Sequence, residues 1–296
     1  MALRPIDNAL PIAPERPKKQ SKIAVPIQKH LDPAVNDENK VPLASSGDAT
    51  IDYISSDNLK PLSDPEAKIQ NLIEELDSKT WTKVCESLND ARRFALYHSS
   101  LLLPNLEKIM LVVVKAMKNP RSAMCKTSIM AASDIFKAFG DKLLDPSTSD
   151  AFDNMLLQLL LKASQDKRFV CEEADRALNS MVVTMTPLPL LQKLRAYVSH
   201  ANLRVRAKAA ISLSNCVSRM ELEQMEQCGL TDLIKMAADL VNDRLPEARD
   251  AARSIATSAY EAITKDEEQK LEVWQNFCQS KLPPLHALSM LKIVNP

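Results

Sequence analysis

The side chains most capable of chemistry in this 296-residue chain are four histidines and six cysteines. The histidines stand at positions 30, 98, 200 and 286, and none has a cysteine or acidic partner at the spacing of a metal or catalytic site. The cysteines are equally scattered and form no Cys-x-x-Cys pair; they are Cys85, Cys125, Cys171, Cys216, Cys228 and Cys278. We therefore expect reduced, buried thiols rather than disulfides or a metal site.

Glycine is too rare for phosphate-binding loops, which need several glycines within a short span. The chain contains three glycines, of which Gly140 and Gly229 lie beyond residue 65. No nucleophile is accompanied by a base at a suitable spacing. We expect no enzymatic activity, no cofactor and no metal.

Charge and hydropathy narrow the remaining classes of function. Lys and Arg together number 38, as do Asp and Glu, so the formal net charge is zero and gives little attraction to nucleic acid or anionic membrane. No apolar run approaches the roughly 18 residues that span a bilayer, and the N-terminus lacks the apolar core of a signal peptide. We expect a soluble cytoplasmic protein that binds through local patches.

A repeated sequence pattern predicts the elements that must position such patches. Copies of one helical pattern begin at Val84, Met124, Val170, Val205 and Ala248, at intervals of 40, 46, 35 and 43 residues. These intervals are close to those of HEAT and armadillo repeats. The fifth residue of the four strong copies is always small, which lets neighbouring helices approach closely; it is Ser128, Ala174, Ala209 or Ala252.

An amphipathic segment precedes each copy, so each repeat is predicted to be a pair of antiparallel helices. The predicted first helices are Ala67–Leu76, Leu102–Met117, Ala151–Ala163, Leu188–Val198 and Leu222–Leu240. A sixth pair is predicted from Asp266–Gln279 and Leu285–Ile293, separated by two prolines. Because each pair buries its apolar face on its neighbours, we predict an all-α, HEAT/armadillo-type solenoid of about six helix pairs over residues 65–296.

Residues 1–64 are predicted to form a disordered, proline-rich tail. Half of the 18 prolines lie in the first 65 residues, the same stretch has almost no apolar periodicity, and the first 30 residues are locally basic. The tail is either plainly solvated, an auxiliary contact for another protein or acidic polymer, or a weak targeting signal.

The turns inside the helix pairs emerge along one edge of a solenoid, and all five of the first turns contain Lys or Arg. Their sequences are SKTW, KNPRS, QDKRF, HANLRVR and NDRLPEAR. We expect a basic ridge with Trp81 at one end. Each residue also has an ordinary structural interpretation: Trp81 as a packing residue, the turn cations as solvated groups, and Arg206 and Arg249 as supports between repeats. Their coincidence on one edge favours a binding strip.

These turns and repeats resemble the TOG domain, the tubulin-binding HEAT module of the CLASP and crescerin groups. The resemblance rests on six helix pairs in about 230 residues, a tryptophan in the first turn, and basic residues in the later turns. The segment NPRSAMCKTSIMAASDIFKAFGDKL is especially similar to CLASP-type domains. There are departures as well, because Thr80 precedes Trp81 where the family often has an acidic residue, and Thr82 and Lys83 follow it.

The resemblance implies a microtubule-associated protein that binds αβ-tubulin or microtubules through one TOG-like domain. By position it nominates Trp81, Arg121, Lys167 or Arg168, Asn202, Arg204 and Arg244 as tubulin contacts. It also implies localisation at the microtubule cytoskeleton. The alternative hypothesis is a HEAT or armadillo adaptor that binds a different protein, and nucleic-acid binding and enzymatic activity are more distant alternatives.

Overall fold

The computed structural model describes residues 53–295, and within them every regular element is helical. The helices are α1 (Pro65–Leu76), α2 (Trp81–Tyr97), α3 (Ser99–Leu102), α4 (Leu106–Met117), α5 (Ser122–Phe139), α6 (Ser149–Ala163), α7 (Arg168–Thr184), α8 (Pro187–Arg195), α9 (Leu203–Val217), α10 (Leu222–Gln227), α11 (Leu230–Leu240), α12 (Pro246–Ile263), α13 (Lys270–Lys281) and α14 (Pro284–Val294). Short 3-10 turns occupy Ser56–Asn58, Leu103–Asn105 and Gly140–Leu144.

The predicted six helix pairs are confirmed. They are α1 with α2, α4 with α5, α6 with α7, α8 with α9, α11 with α12, and α13 with α14. The second helix of each pair also packs against the second helix of the next pair, most extensively for α2, α5 and α7. A single apolar core therefore runs through the stack, as expected of a solenoid.

The small residues of the repeated pattern lie where the helices meet. Ser128, Ala174, Ala209 and Ala252 are all completely buried. A larger side chain at these positions would hold neighbouring helices apart, because the interior is close-packed. The same close packing buries five of the six cysteines, and Cys171 is half-buried. Burial raises the pKa of the Cys85 thiol to about 11 and that of Cys278 to about 12, so both are protonated at neutral pH.

Two predicted helices are not continuous. The segment predicted as Leu102–Met117 contains the end of α3 and the 3-10 turn Leu103–Asn105 before α4 begins at Leu106. The segment predicted as a single helix over Leu222–Leu240 forms two helices, α10 and α11, separated at Cys228 and Gly229. Gly229 has a φ of +88°, in the left-handed region that favours glycine, and it is the N-cap residue immediately before α11. The chain changes direction there, and only α11 takes the position of a first helix in its pair.

The structure differs from the predicted boundary of the folded domain at residue 65. Residues 53–59, which we call the N-terminal strap, lie across α2 and α5. Arg92 of α2 donates to the carbonyl oxygen of Ile54 at 2.8 Å, and Leu59 is 2% exposed. Ordered contacts therefore begin before α1. The rest of the predicted tail, residues 1–52, lies outside the residues that the structure describes.

A buried ion pair joins the strap to the helices beneath it. Arg92 Nε lies 2.7 Å from Asp134 Oδ2 of α5, and both side chains are fully buried. The hydroxyl of Ser56 donates to the other oxygen of Asp134 at 2.6 Å, and Asn89 accepts from Arg92 at 2.9 Å. Each charge therefore has several hydrogen-bond partners, which is the condition under which a buried ion pair is tolerated.

Candidate partner-binding ridge

The turns that join the helices of the first five pairs form one continuous edge. We call this edge the ridge and define its turns as residues 77–80, 118–121, 164–167, 196–202 and 241–245, numbered 1 to 5, together with the first residues of the helices that follow. Each turn contacts the next one. The contacts are Arg121 with Trp81, Lys167 with Ser122, Arg204 with Asp166, and Arg206 with Asp243.

Trp81 is the first residue of α2 and lies half-buried at the edge of the core. The guanidinium carbon of Arg121, in turn 2, lies 5.8 Å from the centroid of the tryptophan ring, within the range of a cation–π interaction. The indole is thus held from below by the core and from one side by Arg121. Part of it remains accessible, so it presents apolar surface at the end of the ridge.

An apolar cleft of about 280 Å³ opens between turns 1 and 2, at the start of α2, the helix that Trp81 begins. Leu76, Val112, Ala116 and Met124 contribute its apolar lining. Its polar rim is formed by residues of the two turns and of α4; these are Asp77, Ser78, Lys79, Lys115 and Asn119. The end of the ridge that carries the tryptophan therefore combines an aromatic surface with a small apolar recess.

The central cations of the ridge are largely paired with carboxylates of the same chain. Arg204 Nη1 lies 2.5 Å from Asp166 Oδ1 of turn 3, and both side chains are mostly exposed. Arg168 Nε lies 2.7 Å from Glu172 Oε1, one turn further along α7. These pairs reduce the positive charge that Arg168 and Arg204 offer to a partner.

The last turn is organised around Asp243, whose side chain is 4% exposed. Arg206 Nε lies 2.6 Å from Asp243 Oδ2, and Arg249 donates to the carbonyl oxygens of Asp243 and Arg244. Burial alone would raise the pKa of Asp243, but the hydrogen bond from the Leu245 N–H and the pairing with Arg206 outweigh it and lower that pKa. Arg206 thus links two repeats, as its structural interpretation predicted, whereas the hydrogen bonds of Arg249 are to the turn of its own repeat.

The ridge is consequently less basic than the sequence predicts. Asp77, Asp166 and Asp243 all lie in its turns and pair with Lys115, Arg204 and Arg206. Among the described residues, five cations within the turns themselves form no ion pair; they are Lys79, Lys118, Arg121, Lys167 and Arg244. Most of the uncompensated charge therefore lies in turns 1 to 3, near Trp81. Lys79 and Lys118 are the two members of this set that the sequence did not nominate.

A shared hydrogen bond fixes the shape of four of the five turns. In each of these turns, a polar side chain accepts a hydrogen bond from the backbone N–H of the residue two positions later. That later residue is the last one before the second helix of the pair. The acceptors are Ser78, Asn119, His200 and Asp243, at 2.9 to 3.2 Å. Side-chain bonds of this kind stabilise turns. Sequence analysis missed the pattern, although its signal is a polar residue two positions before each helix cap.

Asn202 has a structural role that the resemblance did not imply. Its side-chain oxygen accepts from the backbone N–H of Arg204 at 3.0 Å and of Val205 at 3.4 Å, and so caps the N-terminus of α9. The residue is nevertheless exposed on turn 4 beside Arg204. Its amide nitrogen is the group left to contact a partner.

The residues that the structure describes contain no set of three or more His, Cys, Asp or Glu side chains arranged to hold a metal ion. Nor is any helix between residues 53 and 295 both long and apolar enough to cross a membrane. The ridge is a surface of turns that carries several cations and three aromatic side chains, which are half-buried Trp81, exposed Phe169 and half-buried Tyr197.

Comparison with known proteins places the chain in a family. The chain is 30% identical over 203 residues to mouse TOG array regulator of axonemal microtubules protein 1, covering 67% of the chain and 11% of that protein. The human protein of the same name is 33% identical over 129 residues, which cover 44% of the chain and 7% of that protein. The chain thus spans about a tenth of the length of these relatives.

Solved structures share the fold. A TOG domain of Zyg9 from C. elegans superimposes with a TM-score of 0.56 at 14% identity, covering 82% of this chain and 90% of that domain. The MAST/Orbit N-terminal domain superimposes with a TM-score of 0.53 at 13% identity, covering 80% of this chain and 98% of that domain. The sequence profile of the CLASP N-terminal family matches residues 97–281, more than half of the chain. With its TOG-type solenoid, the chain belongs to the CLASP N-terminal family.

Proposed function

We propose that this chain binds αβ-tubulin through the ridge and modulates the dynamics or organisation of microtubules, at which it is localised. The observation that carries the proposal is the continuity of the ridge: contacts from Trp81 to Asp243 join five successive turns into one surface. A partner that is long and rigid, as a folded protein is, matches such a surface better than a small molecule does.

The proposed mechanism is recognition without bond chemistry. Trp81 and the apolar cleft beside it provide the anchor, since buried tryptophan is among the side chains that contribute most to protein interfaces. Lys79, Lys118 and Arg121 lie in the two turns at this anchor, Lys167 lies in the next turn, and together they attract an acidic surface such as that of tubulin. Added salt should weaken the complex, because these charges lie near solvent and are screened.

Family membership supports this proposal. The relatives are described as regulators of axonemal microtubules, and the solved structures with this fold include a domain of a microtubule polymerase that recruits tubulin. The chain has the half-buried tryptophan and the basic turns that TOG domains are expected to use. The proposal concerns this module alone and assigns to it none of the functions of the rest of those longer proteins.

The second candidate function is that of an adaptor for a different protein. The pairing of Arg204 with Asp166 and of Arg168 with Glu172 favours it, because the neutralised middle of the ridge gains less from an acidic partner. An adaptor would keep the dependence on Trp81 and lose the selectivity for tubulin.

A binding assay separates the two candidates. Purified chain is mixed at low salt with αβ-tubulin in size-exclusion chromatography, and with microtubules in a pelleting assay. The Trp81→Ala, Arg204→Glu double variant should lose binding while its circular dichroism stays that of the wild type. The control is Val183→Ala, which removes an exposed apolar side chain at the end of α7 remote from the ridge. Failure of the wild type to bind either form of tubulin rejects the tubulin proposal.

A further inference from the structure

The N-terminal strap borders a polar cleft on the side of the stack formed by α5 and α7. The cleft has a volume of about 470 Å³. The strap contributes Tyr53, Ser55, Ser56 and Asp57 to its lining, and the helices contribute Lys126, Lys137, Glu173 and Arg176 among others. This cleft lies apart from the ridge residues, and the proposed tubulin binding uses none of these groups.

The two serines of the strap have opposite surroundings. Ser56 is locked in place: its hydroxyl donates to Asp134 at 2.6 Å and accepts from Arg92 at 3.4 Å. Ser55 is exposed, and no hydrogen bond to its hydroxyl is found among the described residues. One hydroxyl is thus part of a buried network, whereas its neighbour is accessible at the edge of the cleft.

The cations of the cleft have hydrogen-bond donors to spare. Lys126 Nζ lies 3.7 Å from Glu173 and Lys137 Nζ lies 3.8 Å from Asp134, both beyond hydrogen-bonding distance. Arg176 donates one bond to Glu173 at 3.2 Å and is otherwise largely exposed. Lys126 also lies 4.4 Å from the centroid of the Tyr53 ring, which holds its ammonium group beside the strap. Three cations therefore face two lining carboxylates, Asp57 and Glu173.

We propose that Ser55 is a phosphorylation site, and that its phosphate is bound by Lys126, Lys137 and Arg176 so that the strap is fastened to α5 and α7. A protein kinase transfers the terminal phosphoryl group of ATP to Ser55 Oγ. The new P–O bond forms on the serine oxygen and the bond to the bridging oxygen of the β-phosphate breaks. ADP leaves with that electron pair, and the hydroxyl proton passes to the base of the kinase.

The negative charge of phosphoserine explains why position 55, beside the cations of the cleft, can hold a phosphate group. A phosphoserine carries about −1.5 to −2 charges at neutral pH and three acceptor oxygens, so it forms charge-assisted hydrogen bonds with nearby cations. The same group on Ser56 would meet the buried carboxylate of Asp134 and would break the contact with Arg92. The two adjacent serines are thus predicted to respond in opposite directions.

The test uses the full chain with phosphoserine incorporated at position 55 or at position 56. Hydrogen exchange of residues 53–59 is measured by mass spectrometry and compared with the unmodified chain. Phosphoserine at 55 should slow exchange in the strap by about fivefold or more, as expected for one or two new charge-assisted bonds. Phosphoserine at 56 should accelerate it and lower the Tm.

Two controls make the result specific. In a Lys137→Gln, Arg176→Gln background, phosphoserine at 55 should lose most of its effect, while the unmodified strap exchanges as in the wild type. Unchanged or faster exchange with phosphoserine at 55, or equal slowing in that background, overturns the proposal. Phosphopeptide mapping of the chain isolated from its own cells should find phosphate on Ser55, and its absence there overturns the assignment of a modification site.

Discussion

The guanidinium carbon of Arg121 lies 5.8 Å from the centroid of the Trp81 ring, so a cation of the second turn covers the aromatic group of the first. This contact joins the first two repeats at the turns between their paired helices. It also restricts the rotamers of the tryptophan before any partner arrives, which lowers the entropy lost on binding. The two residues are therefore expected to act as a unit.

The first prediction concerns this unit. Trp81→Ala should lower the affinity for tubulin by about 30-fold or more, because loss of a tryptophan anchor typically costs about 2 kcal/mol of binding free energy. Arg121→Ala should lower it by several-fold through loss of both charge and ring contact, and Arg121→Lys should recover part of that loss. Affinities are measured by titration with labelled tubulin.

The matched control for the first prediction is Val183→Ala, which should leave the affinity unchanged. In the Trp81→Ala background, Arg121→Ala should have a smaller effect than it has alone, because the ring contact is already absent. Equal effects in the two backgrounds would show that Arg121 acts independently of Trp81.

The second prediction follows from the pair formed by Arg204 and Asp166. Asp166→Asn releases Arg204 from a carboxylate 2.5 Å away and adds one positive charge to the ridge. Its affinity for an acidic partner should rise several-fold at low salt, and the gain should disappear as salt screens the charge. The unfolding transition should scarcely change, since both side chains are mostly exposed.

Asp175→Asn is the control for this charge change, because it releases Lys208 from an ion pair between α7 and α9 that lies outside the five turns. It alters the net charge by the same amount and should give a much smaller gain in affinity. If neither substitution raises the affinity for tubulin, the middle of the ridge does not contact an acidic surface.

The third prediction concerns the buried pair of Arg92 and Asp134. Asp134→Asn leaves the Arg92 charge without its counter-ion in the interior, which should lower the free energy of unfolding by about 3–5 kcal/mol. The Arg92→Met, Asp134→Leu double variant should be more stable than either single variant, since no charge then remains buried. Urea denaturation monitored by circular dichroism measures all of these values, and additive losses in the double variant would contradict the expected coupling.

The solenoid was predictable because its signal is local and repeated. Small residues recur at one position of each copy, and Ser128, Ala174, Ala209 and Ala252 are all buried between helices. The break at Gly229 was missed because the residues around it remain amphipathic, so periodicity alone does not reveal a change in backbone direction. The strap was missed for a different reason. Arg92 donates to the backbone carbonyl of Ile54, 38 positions away, and because every residue has a backbone carbonyl, the sequence does not indicate which one is bound.

Individual ridge residues were predictable, whereas their pairing was not. The sequence placed Trp81 and Arg121 at neighbouring turns, and the structure places them in contact, while their role in binding stays a prediction. That Asp166 neutralises Arg204 depends on how two repeats stack, because these residues are 38 positions apart. The sequence therefore predicts which charged side chains lie on the ridge. Which of them remain without an ion-pair partner depends on how the repeats stack.

The fourth prediction concerns the pH dependence contributed by Asp243. Its pKa is lower in the folded chain than its ordinary value of about 3.9, because Leu245 N–H and Arg206 stabilise the carboxylate. A lowered folded-state pKa gives stability that is present above the unfolded-state pKa and is lost as the pH falls toward the folded-state value. Wild type should therefore exceed Asp243→Asn in free energy of unfolding at neutral pH, and the difference should shrink below about pH 4. Urea denaturation at a series of pH values measures this difference.

Asp250→Asn provides the control on α12, because Asp250 is 69% exposed and its ion-pair partner within residues 53–295 is Arg253, three residues away. Its difference from wild type should be small at every pH. The difference in free energy of unfolding between wild type and Asp243→Asn could instead stay constant from neutral pH into strong acid. The negative charge of Asp243 would then contribute nothing to the stability of turn 5. The contacts of Arg206 and Arg249 would then hold the turn through the backbone carbonyls of His200, Asp243 and Arg244 alone.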